Sequence, residues 1–159
     1  MTTPSLLNEP RARQYIEQAG LDAVIACSPA NVRYLTGYHI WLNVTFKRHM
    51  FHPREPAGLP FCFAVLADGK KPSLVLDQMC ETNTANLDVQ CYTYGQKDPG
   101  NPGSWVTHES DKLSAHPFMP TRDRHESPFD ALVEALRANG LTEARLGFEF
   151  EPMIPEDQE

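Results

Sequence analysis

Apolar positions in the N-terminal part of the chain alternate between a helical and a strand-like spacing. The segment 9–19 predicts a helix whose buried face consists of Ala12, Tyr15, Ile16 and Ala19. The continuous apolar run 22–27 is typical of a central strand that is covered on both faces. Ser28 as N-cap and Pro29 in the first turn then predict a second helix, which ends at Gly37.

A hairpin is predicted in the middle of the chain. Asp68 and Gly69 separate two strand-like apolar runs, 60–67 and 73–77. An Asp-Gly pair between such runs is a strong signal for a β-hairpin. Part of the sheet is therefore predicted to be antiparallel.

The chain beyond the hairpin has a weaker pattern. It predicts a short helix over 78–86 and a strand over 88–94. The polar stretch 95–127 is punctuated by proline and glycine and predicts a long loop, which is unusual in a small domain. Three interpretations stay open for it: a functional loop, a mobile loop, or a loop that contains a short helix near 108–114.

The last helix has the clearest sequence signals. Ser127 is the predicted N-cap, Pro128 occupies the first turn, and Asp130 completes a Ser-x-x-Asp capping box. Gly140 ends the helix, and the segment 145–150 predicts a final strand. The predicted buried face of the helix consists of Phe129, Leu132, Val133 and Leu136.

Together these elements predict an α/β fold with a mixed β-sheet flanked by helices. The segments 17–27 and 137–150 both run helix, Gly-Leu, strand, which is a weak internal repeat. The expected domain covers residues 1–150. The acidic, proline-containing segment 151–159 is interpreted as a linker.

Composition excludes several classes of function. The chain has 159 residues, with 14 Lys+Arg against 21 Asp+Glu and a net charge of -7. Without a basic cluster, no nucleic-acid partner is expected. The longest apolar stretches have about eight residues, far fewer than the roughly 20 that span a bilayer. The N-terminus does not resemble a signal peptide, so we expect a cytoplasmic protein whose thiols are reduced.

Candidate chemistry is sparse. His49 and His52, with His39, form the one candidate metal group, and the alternative is a set of exposed loop histidines or a lip that contacts substrate. Cys27 is the cysteine best placed for a catalytic thiol, although all four cysteines also fit as small buried side chains. Glu149 and Glu151 lie two residues apart and so face the same side of a strand. They are interpreted as solvated or interdomain carboxylates, and the alternative is a catalytic carboxylate pair.

An aromatic segment follows the second helix. Tyr38, His39 and Trp41 carry polar tips on large rings, a composition that suits interfaces and ligand lids. The alternative is that Trp41 folds back onto the core.

Residues 20–38 (GLDAVIACSPANVRYLTGY) resemble the N-terminal domain of the creatinase/prolidase/Xaa-Pro aminopeptidase superfamily. The closing segment 145–149 (RLGFE) is similar to the last strand of that domain. The resemblance spans about residues 8–150. The positions that match the family pattern are Asn31, Tyr34, Leu35, Thr36, Gly37, Tyr38 and Glu149.

The resemblance implies an α/β domain of the creatinase N-terminal type, with a ribonuclease H-like arrangement. It also implies a following pita-bread catalytic domain, which in the peptidases holds a pair of divalent ions such as Mn, Co or Zn. The chain stops near the linker into that domain, so we expect a separate N-terminal domain without metal or catalytic residues of its own. The implied partners are the catalytic domain of the same polypeptide and a second copy in a homodimer.

Three hypotheses follow. The first is a non-catalytic domain of a creatinase/prolidase-type hydrolase, acting on Xaa-Pro peptides or on small amides or amidines. In it, Tyr38, His39 and Trp41 shape the substrate entrance or the dimer interface. The second is a stand-alone binding module that uses loops 38–59 and 95–127. The third is an autonomous enzyme that uses Cys27 or the histidine group.

Overall fold

A mixed β-sheet with helices on both faces forms the centre of the molecule. The computed structural model describes residues 6–39, 62–95, 97–98, 101–105 and 124–149. In chain order the elements are α1 (Glu9–Gln18), β1 (Ala23–Ala26), α2 (Pro29–Thr36), β2 (Phe63–Ala67), β3 (Ser73–Asp77), a 3₁₀ helix (Gln78–Thr84), β4 (Gln90–Tyr94), β5 (Lys97–Asp98), β6 (Asn101–Trp105), β7 (Arg124–His125), α3 (Pro128–Ala138) and β8 (Leu146–Phe148).

The main sheet has six strands in the order β7-β4-β3-β2-β1-β8. The pairs β1–β2 and β2–β3 are antiparallel, and β1–β8, β3–β4 and β4–β7 are parallel. The predicted mixed sheet is thus confirmed, together with the predicted hairpin at Asp68-Gly69. Gly69 lies in the left-handed region with φ 64°, which a glycine adopts without steric cost. Strands β5 and β6 form a separate two-stranded sheet.

Each face of the sheet buries its own hydrophobic cluster. Leu66, Leu74 and Leu76 pack with Val32 of α2 and Ile16 of α1 on one face. On the other face, a second cluster is covered by α3 and includes Phe63, Val65, Val75, Ala131 and Ala135. The continuous apolar runs of β1 and β2 are therefore explained by burial on both sides.

Helices α2 and α3, which both have proline in the first turn, are capped by the predicted serines. Ser28 accepts a hydrogen bond from the backbone N–H of Asn31 at 3.3 Å. Ser127 accepts one from the backbone N–H of Asp130 at 3.0 Å, and its hydroxyl donates to the Asp130 carboxylate at 2.6 Å. These side chains satisfy backbone donors that have no partner inside the helix.

The predicted buried faces of α1 and α3 are wrong in part. In α3, Phe129 is 55% and Val133 50% exposed, whereas Ala131 and Ala135 are fully buried. In α1, Tyr15 is 55% exposed. Small side chains let a helix lie close to a sheet, so Phe129 and Val133 remain at the margin of the contact, whereas Leu132 is buried.

Two further predictions are corrected in detail. The helix predicted over 78–86 is a 3₁₀ helix, Gln78–Thr84. The stretch predicted as a loop over 95–127 contains β5, β6 and β7. The possible helix near 108–114 and the predicted linker 151–159 lie outside the described residues. None of the described helices is long and apolar enough to cross a membrane.

Candidate functional site

Helix α2 carries most of the residues that the sequence pattern singles out. Leu35 is buried against the sheet, and Tyr34 is 40% exposed. The hydroxyl of Tyr34 accepts a hydrogen bond from the backbone N–H of Asn8 at 3.2 Å. This contact joins α2 to the N-cap of α1.

The carboxylate of Glu149 accepts hydrogen bonds from three residues at the N-terminus of α2. Its Oε2 accepts from the backbone N–H of Cys27 at 2.8 Å and of Ser28 at 2.9 Å. Its Oε1 accepts from the Ser28 hydroxyl at 2.6 Å and from the side-chain amide of Asn31. We call Glu149 and these three partners the Glu149 clamp. It joins the end of the last strand to the start of α2.

Strand pairing places Glu149 at this position. Strand β8 runs parallel to β1, with Phe148 opposite Ile25. The backbone N–H of Glu149 donates to the carbonyl of Ile25 at 2.9 Å, which extends the ladder by one residue. The thiol of Cys27 donates to the Glu149 carbonyl at 3.2 Å. Because parallel strands end at the same edge of the sheet, Glu149 lies where the chain turns from β1 into α2.

The electrostatics of the clamp favour an ionised glutamate. Partial burial alone would raise the pKa of Glu149, but the hydrogen bonds from Ser28, Cys27 and Asn31 outweigh it and hold the pKa below its ordinary value. The N-terminus of a helix also attracts negative charge. A carboxylate in this state is poorly suited to general acid or base catalysis near neutral pH, which needs a raised pKa. The geometry therefore indicates a structural anchor.

A depression of about 380 Å³ lies beside the clamp, between β1, α2 and β8. Its lining is mainly apolar and includes Leu35, Gly147 and Phe148, with Asn31 and Glu149 on the polar side. Within the described ranges, no group of three or more His, Cys, Asp and Glu residues could hold a metal ion. His39 is exposed, and the other two histidines of the candidate metal group, His49 and His52, lie outside those ranges.

The C-terminal end of α2 is fixed by the matching motif residues. The Thr36 hydroxyl donates to the carbonyl of Val32 at 2.6 Å and accepts from the backbone N–H of Tyr38 at 3.1 Å. Gly37 adopts φ 75°, and its N–H donates to the carbonyl of Arg33 at 2.8 Å. The turn thus directs the chain back into the core.

Tyr38 was expected at an exposed contact surface, but it lies in the core. It is 2% exposed and belongs to the core cluster beneath α2. Burial raises the pKa of Tyr38 well above its ordinary value, and its hydroxyl contacts Cys80. Tyr38 therefore anchors the start of the aromatic segment, His39 is exposed, and Trp41 lies outside the described residues.

The partners of Glu149 could not be named from the sequence pattern, which indicated a solvated or interdomain carboxylate. A signal was present in the repeat of helix, Gly-Leu and strand in segments 17–27 and 137–150. Two equivalent strands that pair in parallel would place Glu149 beside Cys27 and Ser28. The sequence alone does not show that the two strands are neighbours.

Comparison with known proteins gives one consistent result. The family model for the Creatinase/Prolidase N-terminal domain matches residues 10–156. Among solved structures, the chain is similar to the Creatine_N superfamily domain of a dipeptidase from Streptococcus thermophilus, at 21% identity over 93% of this chain and 92% of that one, with a TM-score of 0.38. It is also similar to a proline dipeptidase from Streptococcus pneumoniae, at 19% identity over 94% and 90%, with a TM-score of 0.36.

A third similar structure is the prolidase from Pyrococcus furiosus, at 12% identity with a TM-score of 0.34. The match covers 86% of this chain and 30% of that one. No curated protein sequence gives a significant match.

Proposed function

The chain belongs to the creatinase/prolidase N-terminal domain family, and from this membership we propose that it is the non-catalytic N-terminal domain of a creatinase/prolidase-type hydrolase. The observation that carries the proposal is the family match over residues 10–156, nearly the whole chain. The reaction then belongs to a second domain of the same polypeptide. Its substrates would be Xaa-Pro peptides or related small amides.

The hydrogen bonds of the Glu149 clamp support a non-catalytic role for Glu149. The Glu149 carboxylate is held ionised by four hydrogen bonds, so its oxygens are already engaged in joining β8 to α2. Among the described residues no metal-binding group is assembled. In this proposal, the divalent ions of the family belong to the second domain.

The aromatic segment is the part of this domain that we propose shapes the substrate entrance or contacts a second copy in a homodimer. Tyr38 is buried and fixes the point from which the segment leaves the core. His39 is the first exposed residue after it. In this proposal His39 and Trp41 make the contacts, and Tyr38 positions them.

The proposal is tested first on the isolated chain. Assayed with Mn, Co or Zn against Xaa-Pro dipeptides and creatine, the 159-residue protein is expected to show no turnover. Turnover that disappears in His49→Ala or Cys27→Ala would instead establish an autonomous enzyme. A native reading frame that ends at residue 159 would favour a stand-alone binding module.

A second test uses the parent polypeptide. Trp41→Ala and His39→Ala are expected to raise KM or weaken the dimer several-fold while the melting temperature stays within about 2 °C, the shift that a change of about 0.5–1 kcal/mol produces. Tyr38→Ala serves as the contrasting variant, because loss of a buried aromatic ring should lower stability by about 3–5 kcal/mol. Unchanged kinetics and association in both Trp41→Ala and His39→Ala would refute the entrance role.

A further inference from the structure

Asn139 and Gly140, at the end of α3, form the one Asn-Gly pair in the chain. Asparagine before glycine is the pair at which a polypeptide deamidates most readily, because glycine has no side chain to shield its backbone nitrogen. That nitrogen, once it has lost its proton, attacks the side-chain amide carbon of the asparagine. The pair is therefore a candidate site of spontaneous modification, and the surrounding structure decides whether the reaction occurs.

The backbone nitrogen of Gly140 is held in the cap that ends α3. Its N–H donates to the carbonyl of Arg137 at 2.9 Å. The next N–H, of Leu141, donates to the carbonyl of Leu136 at 2.9 Å. These two bonds form a Schellman motif, with Gly140 in the left-handed region at φ 71°. Attack on Asn139 requires the Gly140 nitrogen to give up its bond to Arg137, so the cap has to open first.

The side-chain amide of Asn139 is also held in place. Asn139 is 8% exposed. Its amide nitrogen, which is the leaving group of the reaction, donates to the carbonyl of Ala135 at 2.7 Å and to the hydroxyl of Ser73 on β3 at 2.9 Å. Separating buried, paired polar groups costs free energy. The nucleophile and the leaving group are thus both engaged in the folded chain.

We propose that Asn139 is a deamidation site which the native fold protects, and that it reacts only after the end of α3 has opened. In the opened chain, the Gly140 nitrogen bonds to the side-chain carbon of Asn139, and the bond from that carbon to the amide nitrogen breaks. The proton lost from Gly140 balances the proton that the leaving ammonia gains. Water then opens the cyclic succinimide at either carbonyl carbon. The products are aspartate and isoaspartate, with one water consumed and one ammonia released.

Neither product fits the closed end of α3. A carboxylate at position 139 places an oxygen, which accepts but does not donate, against the carbonyl of Ala135. It also puts a negative charge at the C-terminus of a helix, where the helix dipole disfavours it. Isoaspartate adds a carbon to the main chain, so the N–H groups of Gly140 and Leu141 no longer meet their carbonyl partners. A chain that has once reacted therefore does not restore the native cap, whether or not a second domain follows it.

The rates of deamidation in the folded and the unfolded chain test the protection. The 159-residue protein is incubated at mildly alkaline pH, in buffer and in concentrated urea. Trypsin then releases the peptide 138–145, in which chromatography with mass spectrometry measures aspartate and isoaspartate. We expect the reaction in buffer to be at least about tenfold slower, because it needs an opening that costs free energy.

The free peptide 138–145 is the control for any effect of urea on the chemistry, and it should react equally in both solutions. For the protein, rates in buffer and urea that differ by less than about threefold would overturn the proposal, since an opening step of measurable cost would then be absent. The absence of conversion in urea would overturn it as well.

A variant tests the contact between Asn139 and the sheet. Ser73→Ala removes one hydrogen bond of the amide nitrogen, and we expect the rate in buffer to rise about threefold or more while the rate in urea is unchanged. Ser73 also forms a hydrogen bond with Tyr92. Tyr92→Phe removes that bond alone and is the matched control. An equal rise in the two variants would contradict the protective role of the Ser73 contact.

The misfit of the product is measured separately. Asn139→Asp reproduces the aspartate product and is expected to lower the melting temperature by about 5 °C or more. Asn86→Asp makes the same change at an exposed position and should stay within about 2 °C of the wild type. An unchanged melting temperature of Asn139→Asp would refute the misfit. Failure of this variant to fold agrees with it, and the rate comparison on the wild-type chain still tests the protection.

Discussion

Glu149 shows how one side chain can join two parts of a fold that are far apart in the sequence. Its carboxylate satisfies two backbone N–H groups at the turn from β1 into α2, where no helical partner is available. It also holds the Ser28 hydroxyl and the Asn31 amide. A hydrogen bond to a charged group contributes more than a neutral one.

Replacing Glu149 by glutamine tests the clamp at constant size. We expect the free energy of unfolding to fall by about 1–3 kcal/mol, because the charge is lost and an amide N–H₂ faces donors. Urea denaturation measures the change. Glu143→Gln is the matched control, since Glu143 is exposed, and it should stay within about 0.5 kcal/mol of the wild type. Equal effects of the two substitutions would contradict the clamp.

The same residue predicts a dependence of stability on pH. The pKa of Glu149 is lower in the folded chain than its ordinary value, so the folded state binds fewer protons than the unfolded state in that range. The stabilisation is complete above the ordinary glutamate pKa of about 4.3 and is lost as pH falls through the lower, folded value. The difference in unfolding free energy between wild type and Glu149→Gln should therefore shrink below about pH 4.3. A constant difference down to pH 2.5 would refute this assignment.

At the scale of elements, the residues that begin and end helices and turns were more informative than the pattern of apolar residues that predicts a helix's buried face. The Ser-Pro starts of α2 and α3, the glycine end of α2 and the Asp-Gly hairpin were all confirmed, because each depends on chemistry within a few residues. The buried face of α3 depends instead on how close the helix lies to the sheet. Apolar residues cover a wide part of the α3 surface, and the prediction placed the large Phe129 and Val133 on the buried face. The contact with the sheet is instead made by Ala131 and Ala135.

A larger side chain at Ala135 tests how closely α3 packs against the sheet. Ala135→Leu is expected to lower the free energy of unfolding by about 1–3 kcal/mol, because Ala135 is fully buried against the sheet. Ala138→Leu places the same side chain at an exposed position of α3 and should change stability by less than about 0.5 kcal/mol. Thermal and urea unfolding measure both. Equal effects of the two substitutions would contradict the close packing of Ala135 against the sheet.

At the scale of the whole molecule, the fold class was accessible from the sequence and the strand order was not. Periodicity and the hairpin indicated a mixed sheet with helices on its faces, and the family resemblance agreed with it. The pairing of β1 with β8 joins residues far apart in the chain, as in the contact between Cys27 and Glu149. No local pattern encodes such a pairing, so the clamp could not be deduced although each of its residues was visible.

The pairing of the first strand with the last also has a consequence for synthesis on the ribosome. The edge of β1 and the N–H groups at the start of α2 have no strand and no carboxylate to bind until residues 146–149 have left the exit tunnel. Nascent chains shorter than this should therefore hold the preceding elements in an incomplete and readily digested form. Completion of the main sheet would therefore wait for the emergence of its last strand, β8.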